Sequence, residues 1–164
     1  METARLLLRW PRLADVPALF EFLGDAAAMR YTHVDASLRD CRRRVAAHEW
    51  QRRRDGCAPW TIATKPDGRI IGWGGLYTDP FEPGWGIEVG YFFHPSAWGR
   101  GYASELVAAC LEVADRALTL PEVRAFARPE NLASRRVLEK AGFEMVRFVS
   151  EMERFLYRRS RPAL

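Results

Sequence analysis

The chain has 164 residues, 48% apolar, 12% aromatic and 28% charged, with 25 basic and 21 acidic side chains and a formal net charge of +4. That is enough apolar material for one packed domain, and it argues against disorder; no apolar run approaches the ~20 residues of a membrane span, and residues 1–12 lack the order of a secretory signal, so a cytoplasmic protein is expected. Cys41, Cys57 and Cys110 are odd in number and widely spaced, and His33, His48 and His94 are scattered, which predicts neither a disulfide framework nor a metal site.

Residues 5–9 read as a short strand. Asp15 follows as a helix N-cap, and Val16, Leu19, Phe20 and Leu23 have the spacing of an amphipathic helix ending at Gly24. After a connector carrying Met29 and Tyr31, Ser37 and Asp40 make a capping-box-like start to a second helix. Leu38, Cys41 and Val45 form its apolar stripe, and it should run to about Arg54. It carries the arginine triplets Arg42, Arg43, Arg44 and Arg52, Arg53, Arg54, with Asp40, Glu49 and Asp55 among them. A solvated helix face is expected there rather than a nucleic-acid surface.

Residues 60–64 and 69–77 flank Lys65-Pro66-Asp67-Gly68 and read as a β-hairpin, followed by a loop over 79–84 and a strand over 87–93. Beyond His94-Pro95-Ser96-Ala97-Trp98-Gly99-Arg100-Gly101, a helix over 102–117 has two apolar sets, one through Leu106, Cys110, Val113 and Ala117, the other through Val107, Leu111, Ala114 and Leu118. It should be covered on both sides. A short strand over 123–127, a turn, and a helix over 132–141 with Asn131 as N-cap come next. Gly142 suits the left-handed position after that helix, with Phe143 returning onto Leu138. Weaker strands over 145–149 and 154–157 close an α/β arrangement read as one domain over residues 1–164, with a mixed, mostly antiparallel sheet flanked by about four helices. Monomer and homodimer are both compatible with these patterns.

The segment over 87–105 joins a strand, a small-residue loop and a helix start. Gly99 and Gly101 allow backbone N–H groups to approach a ligand closely, and the helix beginning near Tyr102 adds the positive end of its dipole, a combination suited to a pyrophosphate. A tight turn that needs glycine for its dihedral angles fits the same residues. A dinucleotide fingerprint is excluded because five residues separate the strand from Gly99 and Arg128 follows the next strand where an acid is required. A P-loop is excluded because no Gly-Lys-Ser/Thr is present.

Trp98-Gly99-Arg100-Gly101-Tyr102-Ala103 resembles the coenzyme A loop of the GNAT acetyltransferase superfamily, and the segment from Asn131 to Phe143 resembles its second signature. The opening over residues 3–9, followed by Asp15 and a helix, is similar to the Rim-type branch of ribosomal-protein N-terminal acetyltransferases. The resemblance implies acetyl-coenzyme A as co-substrate and an amine as acceptor, with no metal and no membrane. It further implies that backbone groups of Gly99, Arg100, Gly101, Tyr102 and Ala103 hold the pyrophosphate, that the pantetheine arm runs along Tyr91, Phe92 and Phe93, and that Asn131 bonds that arm. Trp98 stands where the superfamily usually has Gln or Arg.

Glu88 is the candidate general base. On a strand it shares a face with Gly90 and Phe92, so a carboxylate sits beside a position without a side chain, where room for a thioester is expected. An edge-strand surface charge is the plainer role for it. The tyrosine that many superfamily members use to protonate the leaving sulfur is replaced here by Leu138, and the Rim-type pattern implies Ser134 instead. A thiol with an ordinary pKa near 8.5 needs only a weak donor. A first-turn serine serving local backbone donors is the alternative. The acceptor site is expected in the connector over 26–36, the second helix and the 79–84 loop. Against the enzyme stands a non-catalytic module binding acyl-coenzyme A, or RNA through the arginine-rich helix; Glu88 together with Ser134 favours the enzyme.

Overall fold

The computed structural model describes residues 1–163. Seven strands form one sheet: β1 (Leu6–Arg9), β2 (Trp60–Thr64), β3 (Ile70–Tyr77), β4 (Glu88–Phe93), β5 (Glu122–Ala127), β6 (Glu144–Val149) and β7 (Arg154–Ser160), in the order β1-β2-β3-β4-β5-β7-β6. All neighbours are antiparallel except β4 and β5. Four α-helices flank it: α1 (Val16–Leu23), α2 (Leu38–Asp55), α3 (Tyr102–Glu112) and α4 (Leu132–Lys140). The fold is the expected single α/β domain with a mostly antiparallel sheet.

Strand alternation sorts the core into two layers. Val89 and Phe93 of β4 join Leu6, Leu8, Ile62, Ile71 and the apolar side of α3, whose Leu106, Val107 and Cys110 are fully buried, with Leu138 of α4. Phe92 and Trp73 project to the opposite face, stack with centroids 5.9 Å apart, and meet α1 through Leu19 and Phe22 and α2 through Cys41 and Val45.

Local signals mostly act as expected. Ser37 Oγ accepts the Asp40 N–H, and Gly56 ends α2 in the left-handed region at φ +74°. Phe143 N–H reaches Leu138 O at 3.0 Å and Gly142 N–H reaches Glu139 O at 3.1 Å, closing α4 in a Schellman arrangement around Gly142 at φ +85°. Two details differ. Asp15 precedes α1, but its carboxylate does not cap that helix. It is buried against Arg9 at 2.6 and 2.8 Å, Arg12 N–H at 2.8 Å and Thr61 Oγ at 3.0 Å, because an ion pair and two neutral donors outcompete a single helix-end N–H. The helix expected over 102–117 keeps α geometry to Glu112 and widens into a π turn over Val113–Ala117, with Leu118 N–H bonding Val113 O.

Three of the arginines of α2 pair with local acids, while Arg42, Arg43 and Arg53 are exposed. Arg44 bonds the buried Asp35 at 2.8 Å, Arg52 bonds Glu49 at 2.7 Å, and Arg54 pairs with Asp55 at 2.7 Å. Among the described residues no helix is long and apolar enough to cross a membrane.

Candidate active site

The parallel pair β4 and β5 registers at one position, Glu88 opposite Arg124, with Arg124 N–H bonding Ile87 O at 3.1 Å. Beyond it the two strands no longer pair. On its other edge β4 stays bonded to β3 through Phe93, so the gap-facing backbone groups of Val89 to Phe93 lack a strand partner. A cleft of about 410 Å³ occupies this opening. Because it passes between two strands of the sheet, it reaches both faces.

At one end lies the glycine loop. Gly99 and Gly101 have φ of +71° and +78°, values that only glycine adopts without strain, and Gly101 precedes α3. Among the described residues, no acceptor in the chain meets the backbone N–H groups of Gly99 through Ser104; the first bonded amide of the helix is Glu105, to Gly101 O. Six consecutive free donors at a helix N-terminus suit an anion such as a pyrophosphate. The loop is held from outside. Glu105 accepts from Thr3 Oγ, Arg5 N and Arg5 Nε at 2.5 to 2.7 Å, while Arg5 Nη1 bonds Arg100 O at 2.8 Å and its guanidinium lies over the Tyr102 ring. Trp98 is half-exposed and its Nε1–H bonds Phe93 O at 3.0 Å, tying the loop to the end of β4.

Of the residues singled out in the sequence, Glu88, Tyr91, Phe92, Phe93, Trp98, Gly99, Gly101, Tyr102, Ala103, Asn131 and Ser134 all line this one cleft. Arg100 does not; it faces outward, with its carbonyl engaged by Arg5. Asn131 Oδ1 caps α4 by accepting the Ser134 N–H at 3.2 Å, which leaves its amide N–H groups for a ligand. The hydroxyls of Ser134 and Tyr91 are 2.9 Å apart.

Glu88 is buried, not a surface charge, at 8% exposure. Burial pushes its carboxyl up to about 8, with Asp79 adding to the rise and Tyr77 and Arg154 opposing it. The space beside Gly90 is not free for a thioester: a Cβ there would collide with the Tyr77 hydroxyl. Tyr77 is the cross-strand partner of Glu88, so Gly90 makes room for a phenol that stands next to the carboxyl.

Tyr77, Phe126, Arg128, Arg154 and the connector residues Ala28 to Thr32 also line the cleft. The connector belongs to the region expected to receive the acceptor; the second helix and the 79–84 loop, expected with it, contribute no residue to the lining. The others carry no motif, and only the strand register brings them to Glu88. The cysteines stand apart: all three are buried and free, outside the cleft lining, and burial pushes Cys41 and Cys57 up to about 12 and Cys110 further up.

The family model described as acetyltransferase (GNAT) domain matches residues 5–144. YkkB of Bacillus subtilis (strain 168), an uncharacterized protein, is 32% identical over 144 residues, covering 85% of this chain and 82% of its own. The crystal structure of an acetyltransferase from Agrobacterium tumefaciens str. C58 superposes with a TM-score of 0.84 at 25% identity, covering 98% of this chain and 94% of that one. RimL, a ribosomal L7/L12 alpha-N-protein acetyltransferase solved with coenzyme A, shares the fold at TM-score 0.77 and 20% identity, over 97% and 96% of the two chains. The chain belongs to the GNAT acetyltransferase family, with acetyl-coenzyme A as its co-substrate and an amine as the acceptor of the acetyl group.

Proposed function

We propose that the acetyl group passes directly to a primary amine in a ternary complex, with Glu88 as general base and Ser134 as proton donor. The observation that carries this reading is that the two groups sit on opposite faces of the sheet yet line one cleft, opened by the parting of β4 and β5. The free N–H groups from Gly99 to Ser104 hold the pyrophosphate, and the unpaired edge of β4 with the Asn131 amide holds the pantetheine arm. Bound there, the co-substrate supplies an activated acetyl thioester.

Glu88, with its carboxyl near 8, matches the protonation range of an amine and takes a proton from the ammonium directly or through water. The neutral nitrogen then bonds to the acetyl carbon and the carbon–sulfur bond breaks; the proton that the nitrogen sheds in becoming an amide leaves to solvent by way of Glu88, while the Ser134 hydroxyl gives its proton to the departing sulfur and regains one from solvent. Positioning of amine and thioester supplies much of the acceleration. A cysteine nucleophile is disfavoured by the raised thiols outside the cleft. The opening over residues 3–9 and the likeness to RimL support a place near the Rim-type branch.

Release of free coenzyme A thiol, measured against a panel of amines, tests the proposal. Acetyl-coenzyme A binding together with amine-dependent thiol release that falls in Glu88→Gln and Ser134→Ala supports it. Binding without turnover of any amine would make the chain a binding module.

A further inference from the structure

The face of the sheet that carries Glu88 also carries two arginines with no assigned task. Cross-strand partners share a face, so Glu88 opposite Arg124, Arg124 opposite Arg158, and Phe126 opposite Leu156 place Arg128 and Arg154, each two residues further on, toward the side of Glu88. Both line the cleft. Arg154 stands close enough to lower the carboxyl of Glu88 and the phenol of Tyr77 against the effect of burial.

Neither guanidinium is well satisfied by the chain. Among the described residues Arg154 makes no ion pair and no side-chain hydrogen bond, although its strand neighbours Arg158 and Arg159 pair with Glu122 and Asp115. Arg128 has a 3.4 Å contact with the largely exposed Glu153, and its Nε–H is buried without an acceptor. Guanidinium donors left unpaired at a cleft wall are groups that the oxygen atoms of a ligand can satisfy. Arg30, stacked on Tyr31 at 4.7 Å, adds a third positive charge from the connector across the cleft. Among the described residues Glu88 is the one acid in the lining, with Asp79 and Glu82 near enough to raise its carboxyl.

This balance selects the acceptor. A polycationic amine would meet three guanidinium groups in the lining itself. An amine carrying a carboxylate would set its nitrogen toward Glu88 and its negative group on Arg128 and Arg154, where fork-shaped donors match carboxylate oxygens. The cleft of about 410 Å³ is shared between the acceptor and the pantetheine arm. We propose that the acceptor is a small amine bearing a carboxylate, of amino-acid type, recognised by Arg128 and Arg154. The inference rests on the transferase reading of the same cleft.

The test compares each amino acid with its own carboxamide, beside an aminoglycoside and a peptide with an acidic second residue, by kcat/KM of thiol release. Expected is a preference for the free acid over its amide of about 10-fold to 1,000-fold, which falls at least 10-fold in Arg154→Gln or Arg128→Gln and is partly kept in Arg154→Lys. The readout is the ratio, because a merely structural defect lowers both acceptors alike. Equal use of acid and amide, or better use of the aminoglycoside or the peptide, would overturn the proposal and leave acetyl transfer intact. A turnover-independent arm titrates N-acetyl amino acids and N-acetyl amino-acid amides into the complex with coenzyme A. Selective binding of the acids, lost in Arg154→Gln, supports carboxylate recognition even where turnover of every amine fails and the transferase reading falls; no selectivity sinks it.

Discussion

The hydroxyl of Tyr91 lies 2.9 Å from that of Ser134, so the middle of β4 is joined to the first turn of α4 across the cleft. Burial pushes the Tyr91 phenol up to about 12, which keeps it protonated at neutral pH and able to donate. When it donates to Ser134 Oγ, the serine proton is free to turn toward the cleft. Tyr91 therefore positions the proposed donor. Tyr91→Phe should lower kcat by roughly 3- to 30-fold and Ser134→Ala by roughly 10- to 1,000-fold, or about 1.4 to 4 kcal/mol of barrier. The double variant should be no slower than Ser134→Ala, since removing the serine removes what the tyrosine orients. A double-mutant cycle on kcat measures this, and additive losses would mean that the two hydroxyls act independently.

The carboxyl of Glu88, near 8, should set a rising limb in the pH dependence of kcat/KM. With an acceptor whose amine is weakly basic, the nitrogen is already neutral below that range and the Glu88 limb stands alone. Glu88→Gln should lose that limb, with a deficit of roughly 10- to 1,000-fold near neutral pH that shrinks at high pH for an ordinary amine. Ser134→Ala should show no rescue by pH; its deficit should shrink instead with acyl donors built on a more acidic thiol. Identical profiles for wild type and Glu88→Gln would remove Glu88 from the proton path.

Much of this arrangement is legible in the sequence because it is local. The glycines before α3, the Asn131 cap, the Ser37 cap and the Gly142 terminus each act within one turn, and their bonds follow from residue type and spacing. Strand alternation likewise puts Glu88, Gly90 and Phe92 on one face. What occupies the room at Gly90 depends on the register between β3 and β4, which a connection of ten residues after Tyr77 does not set. The Tyr77 hydroxyl in that space is therefore visible only in three dimensions. Arg128 and Arg154 are equally silent in sequence, since the pairing of β5 with β7 brings them to one side although they stand 26 residues apart along the chain.

The packing of Tyr77 over Gly90 gives a stability prediction. A methyl group at position 90 would overlap the buried phenol, and the pairing of Tyr77 with Glu88 limits how far the ring can move. Gly90→Ala should destabilise by about 1–3 kcal/mol. Adding Tyr77→Phe should return part of the loss, because it removes the atom that collides first. Denaturant midpoints of the three variants measure this; no recovery in the double variant would mean that the strain lies elsewhere.

Gly101 tests the anion site. Its φ of +78° is strained for valine, and the loop donors depend on that dihedral angle to converge. Gly101→Val should weaken acetyl-coenzyme A binding at least tenfold, seen as a smaller rise of melting temperature with ligand. The nearest side-chain atom to the new Cβ is a nitrogen of Arg5 at 3.5 Å, an ordinary contact, so the loss should come from backbone shape and not from a clash. Unchanged affinity would place the pyrophosphate somewhere else.

Burial of Glu88 also links folding to pH. Its carboxyl near 8 lies above the ordinary value of 4.5, so the folded chain holds the proton more tightly than the unfolded chain does. The stabilising contribution is fully present below about pH 4.5 and is lost as pH rises through 8. Glu88→Gln keeps the shape, carries no charge and has no such loss. The variant should therefore match wild type near pH 4.5 and exceed it near pH 9 by roughly 3–5 kcal/mol, at ~1.4 kcal/mol for each tenfold change in proton affinity. His48 titrates in the opposite sense. Burial depresses it to about 4, so its contribution is present above 6.5 and falls as pH drops toward 4. Both proteins carry His48, so it cancels in the difference. Stability by denaturant unfolding at several values between pH 4.5 and 9 measures the gap; a gap that stays constant across the range would show that Glu88 is not held neutral by its surroundings.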